Sequence, residues 1–494
     1  MDPQPLPDAL YTADQVRELD RRAIQDHGIP GYTLMQRAGA AALEVLGRMW
    51  PRGRVLAVVC GPGNNGGDGY VLARLARAAG WEVRLAAVSD PGALKGDAAR
   101  AREDWCAAGG GTVSLEAALE GCDVLVDALL GTGLGRPVEG AMADCIARIN
   151  AAGVPVLSLD IPSGLQADTG AVLGRAVQAR ATVTFIGLKL GLFTGEGREY
   201  GGQVHFDDLA VPAAVYDGMV PTARRADAAV LGCLPRRRRS AHKGDFGHVL
   251  VVGGAPGMPG AVRMAAEAAA RVGAGLVSVA THAVHAGLIP LARPEVMAHG
   301  VTAPGDLDPL LERASVVAVG PGLGHGDWGR ALLERVLAWQ GPRVLDADAL
   351  NLLAGAPQRR EDWILTPHPG EAGRLLGWSA ARVQAHRPAA AAALQARYGG
   401  VCILKGSGTL VHDGRDLTVC TGGNPGMASG GMGDVLTGVL AGALAQDLAA
   451  SPGETAILGV CAHARAADAA AGEGGERGLL ASDLFPCLRG AVNP

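Results

Sequence analysis

Residues 61–69 read GPGNNGGDG, directly after the apolar run VLAVVC at 55–60. An apolar run that ends in crowded glycines reads as a buried strand turning sharply into a helix, the junction from which doubly wound α/β domains are built. Gly61, Gly63 and Gly66 spell G-x-G-x-x-G, the outline of a turn that brings backbone amides to a pyrophosphate. Such a turn keeps small apolar residues between its glycines and places an acid about 20 residues further on for a ribose; Asp90 stands near that distance. Here the loop instead carries Asn64, Asn65 and Asp68, side-chain oxygens that a pyrophosphate turn does not require. Spacing alone therefore leaves two readings: a loop holding a nicotinamide cofactor, or a loop meeting a different ligand.

Outward from this loop the first half alternates strand and helix signals. RVLAVVCG (54–61), WEVRLAAVS (81–89), DVLVDALLG (123–131), VPVLSLDIP (154–162) and ATVTFIG (181–187) read as short strands. Between them, GYVLARLARAAG and AMADCIARINAAG have apolar spacing that suits helices, so a parallel, Rossmann-like doubly wound sheet is expected. Ahead of them, TADQVRELDRRAIQDHG opens with a Thr N-cap candidate and closes at Gly28, one helix more.

The pattern dissolves over 212–242 and restarts with GHVLVVGG (247–254), GAGLVSVAT (273–281), SVVAVGPGLG (315–324), PRVLDADAL (342–350), WILTPHPGE (363–371) and VCILKGSGTLVHDG (401–414). Ala-rich helices are expected at 260–272 and 434–448. At 494 residues the chain exceeds what one core organises, so we expect two α/β domains, 1–220 and 221–494.

The net charge of −5, with both signs spread along the chain, gives no support to nucleic-acid binding or a polybasic membrane anchor. The charge run RRRRS at 236–240 reads as a solvated linker, with a basic patch as the alternative. Nine cysteines without a C-x-x-C pair argue against disulfide and metal–thiolate frameworks. No basic leader or long apolar window is present, and a cytoplasmic protein, assembled from identical copies, is expected.

Three strand ends in the first half carry oxygens. Asn65, Asp127 and Ser163 are candidate ligands for a weakly hydrated cation, and Asp160, opening DIPSG, is a candidate acid–base carboxylate; a capped turn is the plainer reading of DIPSG. GPGNNGGDGYVLAR, DALLGTGLGRPVEG, DIPSGLQADTG and GLKLGLFTGEGREYGG together resemble the YjeF N-terminal domain, the NAD(P)H-hydrate epimerase family, over about residues 10–215. The resemblance implies that the hydrated nicotinamide nucleotide is substrate and that no redox cofactor is used. It implies substrate contacts from Asn64, Asn65, Gly66, Gly67 and Asp68, and from Gly131, Thr132, Gly133, Leu134, Gly135, Arg136 and Pro137. Asn65, Asp127 and Ser163 would ligate K+, and Asp160 would contact the hydrate as the catalytic acid–base.

In the second half, GNPGMASGGMGDVLTG (423–438) places glycine amides before a helix and a carboxylate, Asp434, beside them. Amides at a helix N-terminus form an anion hole, and a neighbouring carboxylate can take a hydroxyl proton during phosphoryl transfer; the alternative is a glycine-rich helix entry with Asp434 as N-cap. LKGSGT (404–409) offers Lys405 to phosphates, TPHPGE offers His368 and Glu371, and LDADALN offers Asp346 or Asp348 to Mg2+, or as hydrogen-bonded turn carboxylates.

With HKGDFGHVLVVGG, GMPGAVRMAAEAAARVGAGLV and VGPGLG, these motifs resemble the ADP/ATP-dependent NAD(P)H-hydrate dehydratases of the ribokinase-like fold, over about 225–490. The resemblance implies hydrate contacts from Ala261, Gly324, His368 and Asp434, with Asp434 the catalytic base. It implies adenine-nucleotide contacts from Lys405, Gly406, Ser407, Gly408, Thr409 and Gly433. Met432 stands where many relatives have Thr, which points to ADP over ATP.

The expected function is therefore bifunctional repair: an isomerase half interconverting the R and S hydrates NADHX and NADPHX, and a lyase half dehydrating the S form with Mg2+ and ADP, releasing AMP and phosphate. A ribokinase-like small-molecule kinase carrying a non-catalytic N-terminal module is the alternative, since an anion hole with an Asp serves kinases too.

Overall fold

The computed structural model describes residues 5–493. The chain divides into two compact units, Met1–Arg224 and Arg225–Pro494.

The first unit opens with β1 (Ala9–Tyr11), followed by the helix Ala13–Arg21, whose N-cap Thr12 and Gln15 form a reciprocal capping box. Its sheet is built from β2 (Val55–Cys60), β3 (Glu82–Ala87), β4 (Thr112–Val113), β5 (Val124–Ala128), β6 (Val156–Leu159), β7 (Ala181–Phe185) and β9 (Gln203–Asp207), all parallel. The strand order is β4-β3-β2-β5-β6-β7-β9. β8 (Leu188–Lys189) pairs instead with β1, as does β10 (Ala223–Ala226) through Arg224 opposite Ala9.

Both faces of this sheet are covered, which is why its strands read as continuous apolar runs. Leu56, Val58 and Cys60 pack on one face with Ala38, Ala42 and Leu46 of the helix Gly31–Met49 and Val71, Leu72 and Ala76 of the helix Asn64–Ala78. Ala57 and Val59 pack on the other with Ile146 and Ile149 of the helix Gly140–Ala151. The order reverses between β2 and β5, and such a switch point opens a crevice at the carboxyl ends of the strands. There Val59 stands opposite Asp127, and Asp127 opposite Ser158.

The second unit has β11 (His248–Val252), β12 (Leu276–His282), β13 (Met297–Val301), β14 (Val316–Val319), β15 (Arg343–Leu345), β16 (Trp363–Leu365), β17 (Val401–Leu404), β18 (Thr409–His412) and β19 (Leu417–Cys420). They run in the order β13-β12-β11-β14-β15-β16-β17-β18-β19. The first seven are parallel; β18 and β19 fold back antiparallel. The helices Pro259–Arg271, Met432–Ala445 and Pro452–Gly474 cover one face, over Val249, Val251 and Ala318.

Several strands are shorter than their apolar runs. PRVLDADAL leaves the sheet at Leu345 and enters the helix Ala347–Gly355, and WILTPHPGE leaves at Leu365 and enters the helix Pro369–Leu376. Glycines split VCILKGSGTLVHDG into a hairpin. The arginine run is not wholly solvated: Arg237 bonds to Gly273 O at 2.5 Å and Gln446 Oε1 at 2.6 Å and lies over the Phe246 ring. Among the described residues, no helix is long and apolar enough to cross a membrane.

Candidate active sites

Asn64 to Asp68 form the first turn of the helix that follows β2, with Gly63 as its extended N-cap. Close approach demands glycine here: a Cβ on Gly61 would lie 1.8 Å from Leu129 O, and one on Gly66 2.1 Å from Gly61 O. The turn is thereby pressed against the loop after β5.

Asp127 is fully buried, and burial pushes its carboxyl up. Four donors meet it: Ser163 Oγ at 2.6 Å and Leu129 N at 3.2 Å on Oδ1, Ser163 N and Ser158 Oγ, both at 2.9 Å, on Oδ2. Ser163 Oγ also accepts from Leu130 N at 2.8 Å, and Asn65 Nδ2 donates to Leu130 O at 3.0 Å. Asn65 Oδ1 is buried and has no hydrogen-bond partner among the described residues. An acceptor stripped of water and left unpaired costs about 1–3 kcal/mol. Neutral oxygens beside one carboxylate suit a hard, weakly hydrated cation rather than a transition metal, so these residues fit K+.

Asp160 follows β6 with φ of 67°, left-handed backbone that a non-glycine residue seldom adopts. Its amide still bonds to Val183 O at 2.7 Å, which fixes the residue at the strand end. The carboxylate pairs with Lys189 Nζ. That ammonium is completely buried and also donates to Thr184 Oγ1 at 3.0 Å and Phe185 O at 2.9 Å. A Cβ on Gly131 would lie 3.5 Å from Asn65 Cβ and 3.8 Å from Asp160 Oδ2, so the three loops meet there. Thr132 and Leu134 are half-buried, whereas Gly133, Gly135, Arg136 and Pro137 are exposed on the outer part of the loop.

Two neighbours of Asp160 escaped the motif reading. Lys189 sits inside an apolar run, and Asp20 lies in a helix with no glycine signal; burial pushes the Asp20 carboxyl up to about 6. A lysine amid apolar strand residues was the available signal for the first; none existed for the second.

In the second unit, Asp434 is the third residue of the helix Met432–Ala445, and Gly431, at φ of 90°, is the N-cap. Asp434 is therefore not the cap. The first-turn amides of Met432 and Gly433 have no intrahelical acceptor and meet no other backbone acceptor among the described residues. Burial, then the charge of Asp346, pushes Asp434 up to about 7, with Lys405 opposing.

Lys405 Nζ is 2.7 Å from Asp346 Oδ1 and 3.8 Å from Glu371 Oε2. Burial works against its ammonium, but those carboxylates outweigh it and hold the pKa above the ordinary lysine value. Asp346 also accepts from Thr366 Oγ1 and Thr437 Oγ1, both at 2.9 Å. Asp348 accepts from Gly324 N at 2.8 Å and pairs with His325 Nε2 at 2.9 Å. Both carboxylates are thus held by partners on other elements rather than within their own turn.

His368 caps the helix Pro369–Leu376: Nδ1 accepts from Gly370 N at 2.9 Å, while Glu371 Oε2 accepts from His368 N at 2.8 Å. Burial, then the charges of Lys405 and Arg374, lowers its pKa. Met258 lies near both Ala261 and Gly324: a Cβ on Gly322 would lie 2.9 Å from Met258 Cβ and 3.3 Å from Ala261 Cβ, and one on Gly324 3.8 Å from Met258 Cε. Gly406, Ser407 and Gly408 form the hairpin turn before Thr409, whose Oγ1 bonds to Gly406 O at 3.0 Å. Under this turn lies Arg387, fully buried, donating to the carbonyls of Leu404, Lys405 and Gly408 at 3.2–3.3 Å. Sequence alone marked neither Arg387 nor the buried His463, whose pKa burial lowers to about 4.

The NAD(P)H-hydrate dehydratase family model matches residues 249–489, and that of the YjeF-related protein N-terminus matches residues 31–191. The fold and the two sites thus define a fusion of a YjeF-type domain with a ribokinase-like dehydratase domain. A ribokinase-like superfamily protein of Enterococcus faecalis is 29% identical with a TM-score of 0.51, over 55% of this chain and 96% of its own. Bifunctional NAD(P)H-hydrate repair enzymes of Coxiella burnetii and Escherichia coli are 51% and 45% identical, over 98% and 100% of this chain and 99% and 95% of theirs. The chain belongs to the family of bifunctional NAD(P)H-hydrate repair enzymes.

Proposed function

We propose that residues 1–220 interconvert the R and S hydrates of NADH and NADPH, and that residues 221–494 dehydrate the S hydrate at the expense of ADP, yielding AMP and phosphate. The observation that carries the first assignment is the convergence of Asn65, Gly131 and Asp160 at the strand switch point. Asn64 to Asp68 and Gly131 to Pro137 embrace the hydrate there, and Asp160 exchanges its proton. K+ held by Asn65, Asp127 and Ser163 supplies a fixed positive charge to the site. The unpaired buried Asn65 Oδ1 supports this role.

In the second site Ala261, Gly324 and His368 hold the hydrate against Asp434, which takes the proton of the C6 hydroxyl. Lys405 to Thr409 and Gly433 receive the nucleotide phosphates. The amides of Met432 and Gly433 face the charge that grows on the transferring phosphoryl group, an effect worth about 2.7–4 kcal/mol per donor in comparable holes. Phosphorylation serves the reaction because phosphate leaves carbon far more readily than hydroxide. Mg2+ supplies charge neutralisation on the nucleotide; Asp346 and Asp348 are otherwise engaged. A cytoplasmic location and assembly from identical copies complete the reading.

Asp160→Ala separates the halves. With mixed hydrates and excess ADP, the native enzyme clears the whole pool in one fast phase. The variant consumes S at the normal rate and then slows to the spontaneous conversion of R into S. A single fast phase in the variant would remove Asp160 from catalysis.

A further inference from the structure

A surface cavity of about 350 Å³ lies in the second unit between His325, Arg330, Asn351, Leu352, Gly355 and Arg374. Three helices frame it: Asp327–Ala338 carries Arg330, Ala347–Gly355 carries Asn351, and Pro369–Leu376 carries Arg374. The cavity adjoins two of the hydrate contacts assigned above. His325 follows Gly324, and Asp348 ties the two together, through Gly324 N at 2.8 Å and His325 Nε2 at 2.9 Å. Arg374 stands on the helix that His368 caps.

The two guanidiniums that line the cavity are aimed by neutral groups. Arg330 Nε donates to His325 O at 3.0 Å, and Arg374 Nη1 donates to Asn351 Oδ1 at 2.7 Å. Among the described residues neither pairs with a carboxylate, whereas Arg335, Arg343 and Arg360 of the same unit each do. The Asp348 carboxylate is taken by Gly324 and His325. Two cations lining one cavity repel each other, and an anion between them relieves that repulsion. The planar fork of a guanidinium matches phosphate oxygens in particular. A volume of about 350 Å³ falls within the range of about 300–1,000 Å³ typical of small-molecule sites. It therefore suits a phosphate carried on a larger molecule, with Leu352 as apolar wall.

We propose that this cavity is a phosphate subsite of the second unit, in which Arg330 and Arg374 bind a phosphate of the dinucleotide hydrate. This rests on the dehydratase reading above. The hydrate offers two sources of that chemistry, the pyrophosphate of both nucleotides and the 2′-phosphate of NADPHX alone. The subsite lies beside the contacts at Gly324 and His368 and makes or breaks no bond. It grips substrate and transition state alike, so it governs affinity rather than the chemical step.

The test measures ADP-dependent dehydration by the full chain, with the S hydrates of NADH and NADPH varied separately at saturating ADP. Arg330→Gln and Arg374→Gln should each raise KM for the hydrate about 5- to 20-fold with kcat within about twofold, the scale of losing a charge-assisted bond partly open to water. Arg330→Lys and Arg374→Lys, which keep the charge without the fork, should restore part of the affinity. Equal rises for the two hydrates assign the pyrophosphate, and a rise confined to the NADPH hydrate assigns the 2′-phosphate. Added salt should raise the native KM and leave that of the double Gln variant nearly unchanged, because it screens an exposed pair. Thermal melting of each variant checks the fold; if a Gln variant fails to fold, the Lys variants decide. A double Gln variant with native KM for both hydrates overturns the proposal. So does a fall in kcat alone, or a rise in KM for ADP in place of the hydrate. A native enzyme that consumes no S hydrate with ADP overturns the dehydratase reading instead.

Discussion

The ammonium of Lys405 and the carboxylate of Asp346 meet at 2.7 Å directly beneath Gly433. A Cβ on Gly433 would lie 3.2 Å from that ammonium and 3.4 Å from Asp346 Oδ2. The ion pair thus lies against the backbone whose amide we propose to face the transferring phosphoryl group, and any side chain there would press on it. Asp346 is held in turn by Thr366 and Thr437. Gly433→Val is expected to lower dehydratase kcat at least about 100-fold, the scale of losing one oxyanion donor. Epimer exchange by the same protein should be unchanged, and both are read from one chromatographic assay.

The Asp434 carboxyl, pushed up to about 7, must be ionised to accept the hydroxyl proton. The dehydration rate should therefore fall about tenfold per pH unit below about 7 and level off above it. Asp434→Asn should remove both the slope and about 10²–10⁴-fold of the rate. A variant retaining the native pH profile would assign the proton transfer to another group.

Arg387 carries the turn that holds Gly406 and Gly408. Arg387→Met strips donors from the carbonyls of Leu404, Lys405 and Gly408. The expected cost is about 2–4 kcal/mol, with the melting temperature lowered by roughly 5–10 °C. KM for ADP should rise while KM for the hydrate stays near native. Calorimetry and initial rates check the two arms.

Asn65→Leu removes the unpaired Oδ1 while keeping the side chain's bulk. Native epimerisation should respond when K+ is replaced by tetramethylammonium, and the variant should not. Equal response in both proteins would place the cation elsewhere.

The sequence by itself determined the plan of two α/β units and the family to which they belong. Continuous apolar runs ending in Gly, Asn and Asp are the pattern of parallel strands buried on both faces. Glycines crowded at Gly61, Gly66 and Gly431 mark places where backbone must approach backbone or turn left-handed. Where runs overreached, as in PRVLDADAL, the last residues were apolar enough for either helix or strand, and local composition could not choose between them. Tertiary structure alone decided which charges meet. Lys189 reaches Asp160 across 29 positions, Lys405 reaches Asp346 across 59, and Arg387 enters the hairpin turn from a helix before the strand. A lone Lys or Arg carries no periodic signal, and its partner is fixed only when strand order brings distant loops to one end of the sheet. The same packing sets the desolvation that moves Asp434, so its acid–base behaviour belongs to the fold rather than to any motif.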